Sequence, residues 1–112
     1  MRDGELIFKG RLGADVQTEQ GRDAAQLCAL NIFAWLNQAL AGECCERIKK
    51  CVQLRGFVAS TDNFTEHGQV LNGASELMQQ VLGEAGHHTR LAVGVTSLPL
   101  GAPVEIDAVF AL

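Results

Sequence analysis

The stretch HHTRLAVGVTSLPLGAPVEIDAVFAL, residues 87–112, decides how the rest of this chain is read. Two segments rich in Val, Leu and Ile flank a turn containing Pro and Gly, the pattern of a β-hairpin. Side chains alternate along a strand, so Leu91, Val93 and Val95 share one face and Arg90, Ala92, Gly94 and Thr96 the other. On the second segment Val104, Ile106, Ala108 and Phe110 are opposed by Glu105, Asp107, Val109 and Ala111. Pairing across Leu98-Pro99 sets Ala92 against Glu105 and Arg90 against Asp107, with Arg90 and Glu105 as diagonal neighbours. One face of the expected hairpin is therefore small and charged. It is expected to need a cover.

Composition narrows what that cover is. At 112 residues the chain is one domain, 1–112, with length enough for a single core. A formal net charge of -4 argues against a nucleic-acid-binding surface, which needs a basic stripe. The basic cluster RIKK, residues 47–50, reads as a solvated helix end or strand edge. No run of about 18 apolar residues is present, so no membrane span is expected. No signal-peptide pattern opens the chain. Cys28, Cys44, Cys45 and Cys51 follow neither CxxC nor zinc-ribbon spacing, and free thiols in a reducing cytoplasm are the simplest reading. The vicinal pair Cys44-Cys45 fits no reaction that the remaining residues suggest. His87 and His88 point to opposite sides of a strand with no third ligand at zinc spacing, so no metal is implied and a surface or interface position is expected. His67 is a candidate for a cleft mouth. There is no GxGxxG, P-loop, GxSxG or HExxH motif.

Upstream, ELIFKG (residues 5–10) reads as a short strand. A helix is predicted over residues 18–40, capped by Thr18, ended by Gly42, with a broad apolar stripe that includes Leu30 and Trp35. Residues 47–60 form the next strand, with a bulge or close approach at Gly56. Residues 72–86 form a second helix with Ala74, Leu77, Met78, Val81 and Leu82 inward. The order β-α-β-α-β-β predicts an α+β fold, two helices packed on one face of one mixed sheet. The helices are expected over the Leu91/Val93/Ile106/Phe110 face, leaving the Arg90/Glu105 face for another subunit.

These residues also carry a family resemblance. Residues 72–110, NGASELMQQVLGEAGHHTRLAVGVTSLPLGAPVEIDAVF, closely resemble the C-terminal half of the Rid family, the YjgF-type reactive intermediate deaminases. The nearest branch carries GxHxRxAVGVxxLP followed by VEV. LCALNIFAWL and GFVASTDNFTEHGQVLNGAS extend the match upstream to about Gly10. The resemblance implies a chorismate-mutase-like subunit in a homotrimer, with sheets facing inward and clefts between neighbours. Arg90 matches the arginine that holds the substrate carboxylate, and Glu105 the glutamate that handles the attacking water. Asn72 matches the pocket asparagine, or Gly73 if the alignment shifts by one residue. The family's pocket cysteine falls at Ala92, so no cysteine nucleophile is implied here. Family members open with a further strand bearing S-G-Q and a pocket tyrosine. This sequence has no tyrosine, and that strand is expected to be missing or shortened.

The implied reaction takes an enamine or imine acid of the 2-aminoacrylate, 2-iminobutanoate or 2-iminopropanoate kind to a 2-oxo acid and ammonia, with no cofactor. A guanidinium suits a planar carboxylate, and a carboxylate such as Glu105 suits the positioning of water. A purely structural role stands beside this, in which Arg90 pairs with Glu105 or Asp107 at an interface. Two other functions stay open: a non-catalytic trimer that binds a small carboxylate-bearing metabolite, and the endoribonuclease or translation-inhibitor activity of some relatives.

Overall fold

Cys51, Leu54 and Val58 are fully buried, so the backbone between them has no water to bond and needs a partner on each edge. Their strand, β1 (Lys50–Ala59), is accordingly the centre of a three-stranded mixed sheet in this computed structural model, which describes residues 8–112. β1 pairs in parallel with β2 (Thr89–Val95) and antiparallel with β3 (Val104–Ala111). The hairpin expected between β2 and β3 is therefore not formed. Residues 96–103, with a short turn of 3-10 helix at Pro99–Gly101, carry the chain past the end of β1 to its far edge. The strand expected over residues 5–10 lies largely outside the described residues.

Two long helices cover one face of the sheet. Helix α1 (Thr18–Ala39) is followed by the single turn α2 (Cys44–Arg47), and α3 (His67–Leu82) connects β1 to β2. Helix α1 begins where the Gln17 N–H donates to Gln20 Oε1 at 2.9 Å. Thr18, expected as the cap, instead donates its hydroxyl to Glu66 Oε1 at 2.6 Å and ties the starts of α1 and α3 together. The helices meet through small buried residues: Gly21, Ala25 and Ala29 on α1, Gly73 and Ala74 on α3. Such a close seam needs only a narrow stripe, so Trp35 is left 72% exposed and Leu30 46%. Val81, expected inward on α3, is also exposed. Among the described residues no helix is long and apolar enough to cross a membrane.

The sheet register corrects the expected faces. Gly56 lies between Ala92 on β2 and Ile106 on β3, and Leu54 between Arg90 and Ala108. A Cβ on Gly56 would overlap Leu71 of α3, so these rows face the helices. Val104, Ile106, Ala108 and Phe110 point inward as expected. On β2 the expectation inverts: Arg90, Ala92 and Gly94 face α3, and Leu91, Val93 and Val95 face the open side. On β2, beside Gly56 and beneath α3, the inward side chain is the small Ala92. A register shift between Cys51 and Gln53 turns Cys51 inward with Leu54 and leaves Val52 outside.

The α1–α3 seam yields a test. A Cβ on Gly73 would collide with the backbone carbonyl oxygen of Arg22, which cannot swing aside as a side chain can. Gly73→Ala is expected to destabilise the fold by about 1–3 kcal/mol in chemical denaturation. An unchanged midpoint would show that the helices are not packed this closely.

Candidate functional site

Arg90 reaches out from β2 beneath the edge of α3. Gly68, Asn72 and Ser75 follow one another at helical spacing along that edge. Arg90 Nη1 donates to Asn72 Oδ1 at 2.6 Å and to Ser75 Oγ at 3.3 Å. Gly68 leaves room beside the guanidinium, since a Cβ there would stand 3.3 Å from Nη2. Asn72, Ser75, Glu76, Gln79, His87, His88 and Arg90 line an open polar hollow of about 370 Å³. Among the described residues Arg90 joins no ion pair; the pairs formed are Arg22 with Glu76 and Arg55 with Asp107. A cation so held and left without a counter-ion is an anion site in waiting.

The other candidates fall in different places. Ala92 lies one row along from Arg90, packed against the core with no thiol to offer. Gly73 faces Arg22 across the helix seam, so of Asn72 and Gly73 it is Asn72 that stands by Arg90. Glu105 is exposed, opposite Phe57, on the sheet face away from α3. The free edge of β3 beside it borders an apolar groove with Cys28, Ile32, Trp35 and Leu100. Arg90 and Glu105 are thus on opposite faces of one sheet and are not diagonal neighbours.

Asp107 does not pair with Arg90. Arg55, opposite it on β1, donates Nε to Asp107 Oδ1 at 2.8 Å and Nη2 to Oδ2 at 2.6 Å. Those hydrogen bonds hold the Asp107 carboxyl below its usual range, against a smaller opposing effect of desolvation, and they raise the Arg55 pKa. Within one subunit, neither carboxylate expected to tie Arg90 into a structural ion pair is beside it.

Ser75, which sequence reasoning passed over, and His88, expected only at a surface or interface, sit at the Arg90 hollow. Ser75 lies three positions beyond Asn72 on the same helix face, and His88 has the parity of Arg90; both signals were in the sequence. His88 Nε2 is 3.0 Å from Ser75 Oγ. A second polar hollow lies further along the same β2 face. There His67 Nε2 is 3.3 Å from Ser60 Oγ, the Phe64 ring stands edge-on to the imidazole, and Gly94 leaves the space. Cys28 and Cys51 are free, and burial pushes both thiols up, away from the reactive thiolate. The side chains of Cys44 and Cys45 lie outside those described. Among the described residues no group of His, Cys, Asp and Glu is arranged to hold a metal.

The Arg55–Asp107 pair has a pH signature. Because pairing lowers the folded-state pKa of Asp107, its stabilisation is present above the unfolded carboxyl's pKa and is lost as pH falls through the depressed one. Both side chains are about half exposed, so the effect is small. Asp107→Asn is expected to lower the melting temperature slightly at neutral pH, with the gap to wild type closing on acidification. A gap that widens on acidification would contradict the pairing.

Comparison with known proteins agrees with this architecture. The chain is 45% identical over 104 residues to protein TCP17 of Trypanosoma cruzi, covering 92% of this chain and 64% of that protein, so it spans under two thirds of the relative's length. A solved structure from Agrobacterium tumefaciens, of unknown function, is 46% identical with a TM-score of 0.95, over 98% of this chain and 69% of that one. A Shewanella oneidensis structure described as a putative endoribonuclease is 33% identical with a TM-score of 0.94, over 100% and 73%. A family profile described as YjgF/chorismate_mutase-like, putative endoribonuclease, matches residues 1–111, and the chain belongs to this family, whose chorismate-mutase-like fold its two helices and mixed sheet share.

Proposed function

We propose that the protein hydrolyses small enamine or imine acids to 2-oxo acids and ammonia, in clefts between the subunits of a homotrimer. The observation that carries this reading is Arg90: a guanidinium braced by Asn72 and Ser75, facing an open hollow and joined to no ion pair among the described residues, the one carboxylate in that hollow, Glu76, being paired with Arg22. Arg90 grips the substrate carboxylate. Water adds to the imine carbon, the C–N bond breaks, and ammonia departs as the water oxygen becomes the carbonyl oxygen of the 2-oxo acid. Glu105 positions the water and takes its proton. Since Arg90 and Glu105 occupy opposite sheet faces, a cleft that uses both draws them from two copies of the chain. The open face, with Leu91 44% and Val109 51% exposed, is apolar enough to be the meeting surface. The free, protonated thiols suit a cytoplasmic setting.

The endoribonuclease named for the family and for the Shewanella protein calls for a basic track along a phosphate backbone. This chain carries a formal net charge of -4, and Arg22 and Arg55 are already neutralised by Glu76 and Asp107. The hollow at Arg90 suits one small anion better.

Freshly generated 2-aminoacrylate, with release of the 2-oxo acid followed in time, tests the reaction. Arg90→Lys and Arg90→Ala are expected to weaken 2-oxo acid binding by about 1.5–3 kcal/mol. Glu105→Gln is expected to keep binding and lose turnover by roughly 10²–10⁴-fold. Arg90→Ala and Glu105→Gln chains, each inactive alone, are expected to regain about a quarter of wild-type activity when unfolded and reassembled at equal ratio, because each cleft draws on two copies. Binding without turnover in the wild type would make this protein a carrier of carboxylates. Unchanged affinity in Arg90→Ala would end the reading altogether.

A further inference from the structure

The hydrogen bonds around Arg90 run in one direction. His88 Nδ1 lies 2.6 Å from the carbonyl oxygen of Gly86. A carbonyl only accepts, so Nδ1 carries the proton, and in the neutral ring Nε2 is bare. The Ser75 hydroxyl, 3.0 Å away, therefore donates to Nε2. Its lone pairs are left to accept from Arg90 Nη1 at 3.3 Å. Asn72 Oδ1 accepts from the same nitrogen at 2.6 Å. Nη1 has two hydrogens, and both are now committed. A ligand is left Nε–H and Nη2–H, the side edge of the guanidinium, whose two near-parallel donors match a carboxylate. Gly68 keeps that edge clear, its missing Cβ being the atom that would crowd Nη2.

We propose that Ser75 and His88 are positioning residues that lock Nη1 and so present the Nε–Nη2 edge of Arg90 to the substrate carboxylate. This rests on the carboxylate-gripping role given to Arg90 above and extends it to two residues that touch no reacting atom. Without the His88 acceptor the Ser75 hydroxyl is free to rotate and turn its hydrogen toward Arg90, which has no use for a donor. The guanidinium is then fixed by Asn72 alone and swings about that single bond.

The order of variants is set by the direction of the bonds. Ser75→Ala and His88→Leu release Nη1, whereas His88→Gln still offers an acceptor oxygen to Ser75. Heteronuclear NMR of the arginine side chains, on the ligand-free protein, reads the lock directly. Separate Nη1 and Nη2 signals, assigned to Arg90 by their loss in Arg90→Lys, are expected in the wild type and in His88→Gln. They merge through rotation of the guanidinium in Ser75→Ala and His88→Leu. Calorimetric titration with pyruvate is expected to show about tenfold weaker binding in Ser75→Ala and His88→Leu, and a loss within about threefold in His88→Gln. Gly68→Ala is expected to weaken pyruvate binding while the separate signals persist. Thermal melts near wild type confirm that each variant is folded. Signals that stay separate in Ser75→Ala, or a His88→Gln protein as weak as His88→Leu, would overturn the lock. Failure of the wild type to bind pyruvate while the NMR order holds would instead sink the carboxylate reading and leave the positioning of Arg90 standing.

Discussion

Leu71 of α3 rests on the bare Cα of Gly56 at the middle of β1, and much else follows from that contact. With no Cβ beneath it, α3 lies closer to the sheet than a side chain would permit. On the β2 side the neighbour in the same row is small, Ala92, while Ile106 takes the β3 side. One row along, at Arg90, a long side chain has no room to stand upright and runs out along the helix edge instead. There it meets Asn72 and Ser75, which project from α3 at helical spacing. A glycine in the central strand thus bears on where an arginine of the adjacent strand goes. Rigid elements on both sides hold the cation, which is what precise recognition of a planar anion requires.

The sheet carries a second arginine with the opposite fate. Arg55 faces the open side, directly across from Asp107, and spends Nε and Nη2 on that carboxylate. The two cations differ in the sheet face they occupy and in what stands across from them. A carboxylate stands across from Arg55 in its row, while the row of Arg90 contains Leu54 and Ala108. A satisfied arginine contributes to structure, and one left unsatisfied by its own chain is available to a ligand. Composition makes no distinction between them.

That difference also explains what was legible in the sequence. Two helices on one mixed sheet followed from periodicity, because 3.6- and 2-residue repeats survive whatever the strand order. Strand order did not follow, because a hairpin and a crossover present the same local pattern around Leu98-Pro99. What decides between them is the burial of Cys51, Leu54 and Val58, which demands a central place for a strand nearly forty residues upstream of β2's midpoint by sequence. The face of β2 was misread for a related reason. Leu91, Val93 and Val95 look like a core face, but the close seat of α3 admits Ala92 and Gly94 and excludes anything larger. Arg90 and Asn72 were legible through the family pattern. Ser75 and His88 had the right spacing and parity, yet both depend on knowing that the Arg90 face meets a helix.

The separation of Arg90 and Glu105 has an energetic counterpart on the open face. Burying an unpaired charge is costly, whereas a pair with good geometry and two hydrogen bonds loses far less. Arg55 and Asp107 are such a pair, set among Leu91, Val93 and Val109, so a second copy can cover this part of the face without stranding either of those charges. Glu105 projects from the same side and would be carried by that contact toward a neighbouring subunit, away from its own Arg90. In the proposed mechanism, then, covering the apolar face and completing the cleft are a single event. In that reading a lone subunit would have an anion site with no base, and would acquire the base only by gaining the neighbour that covers its open sheet.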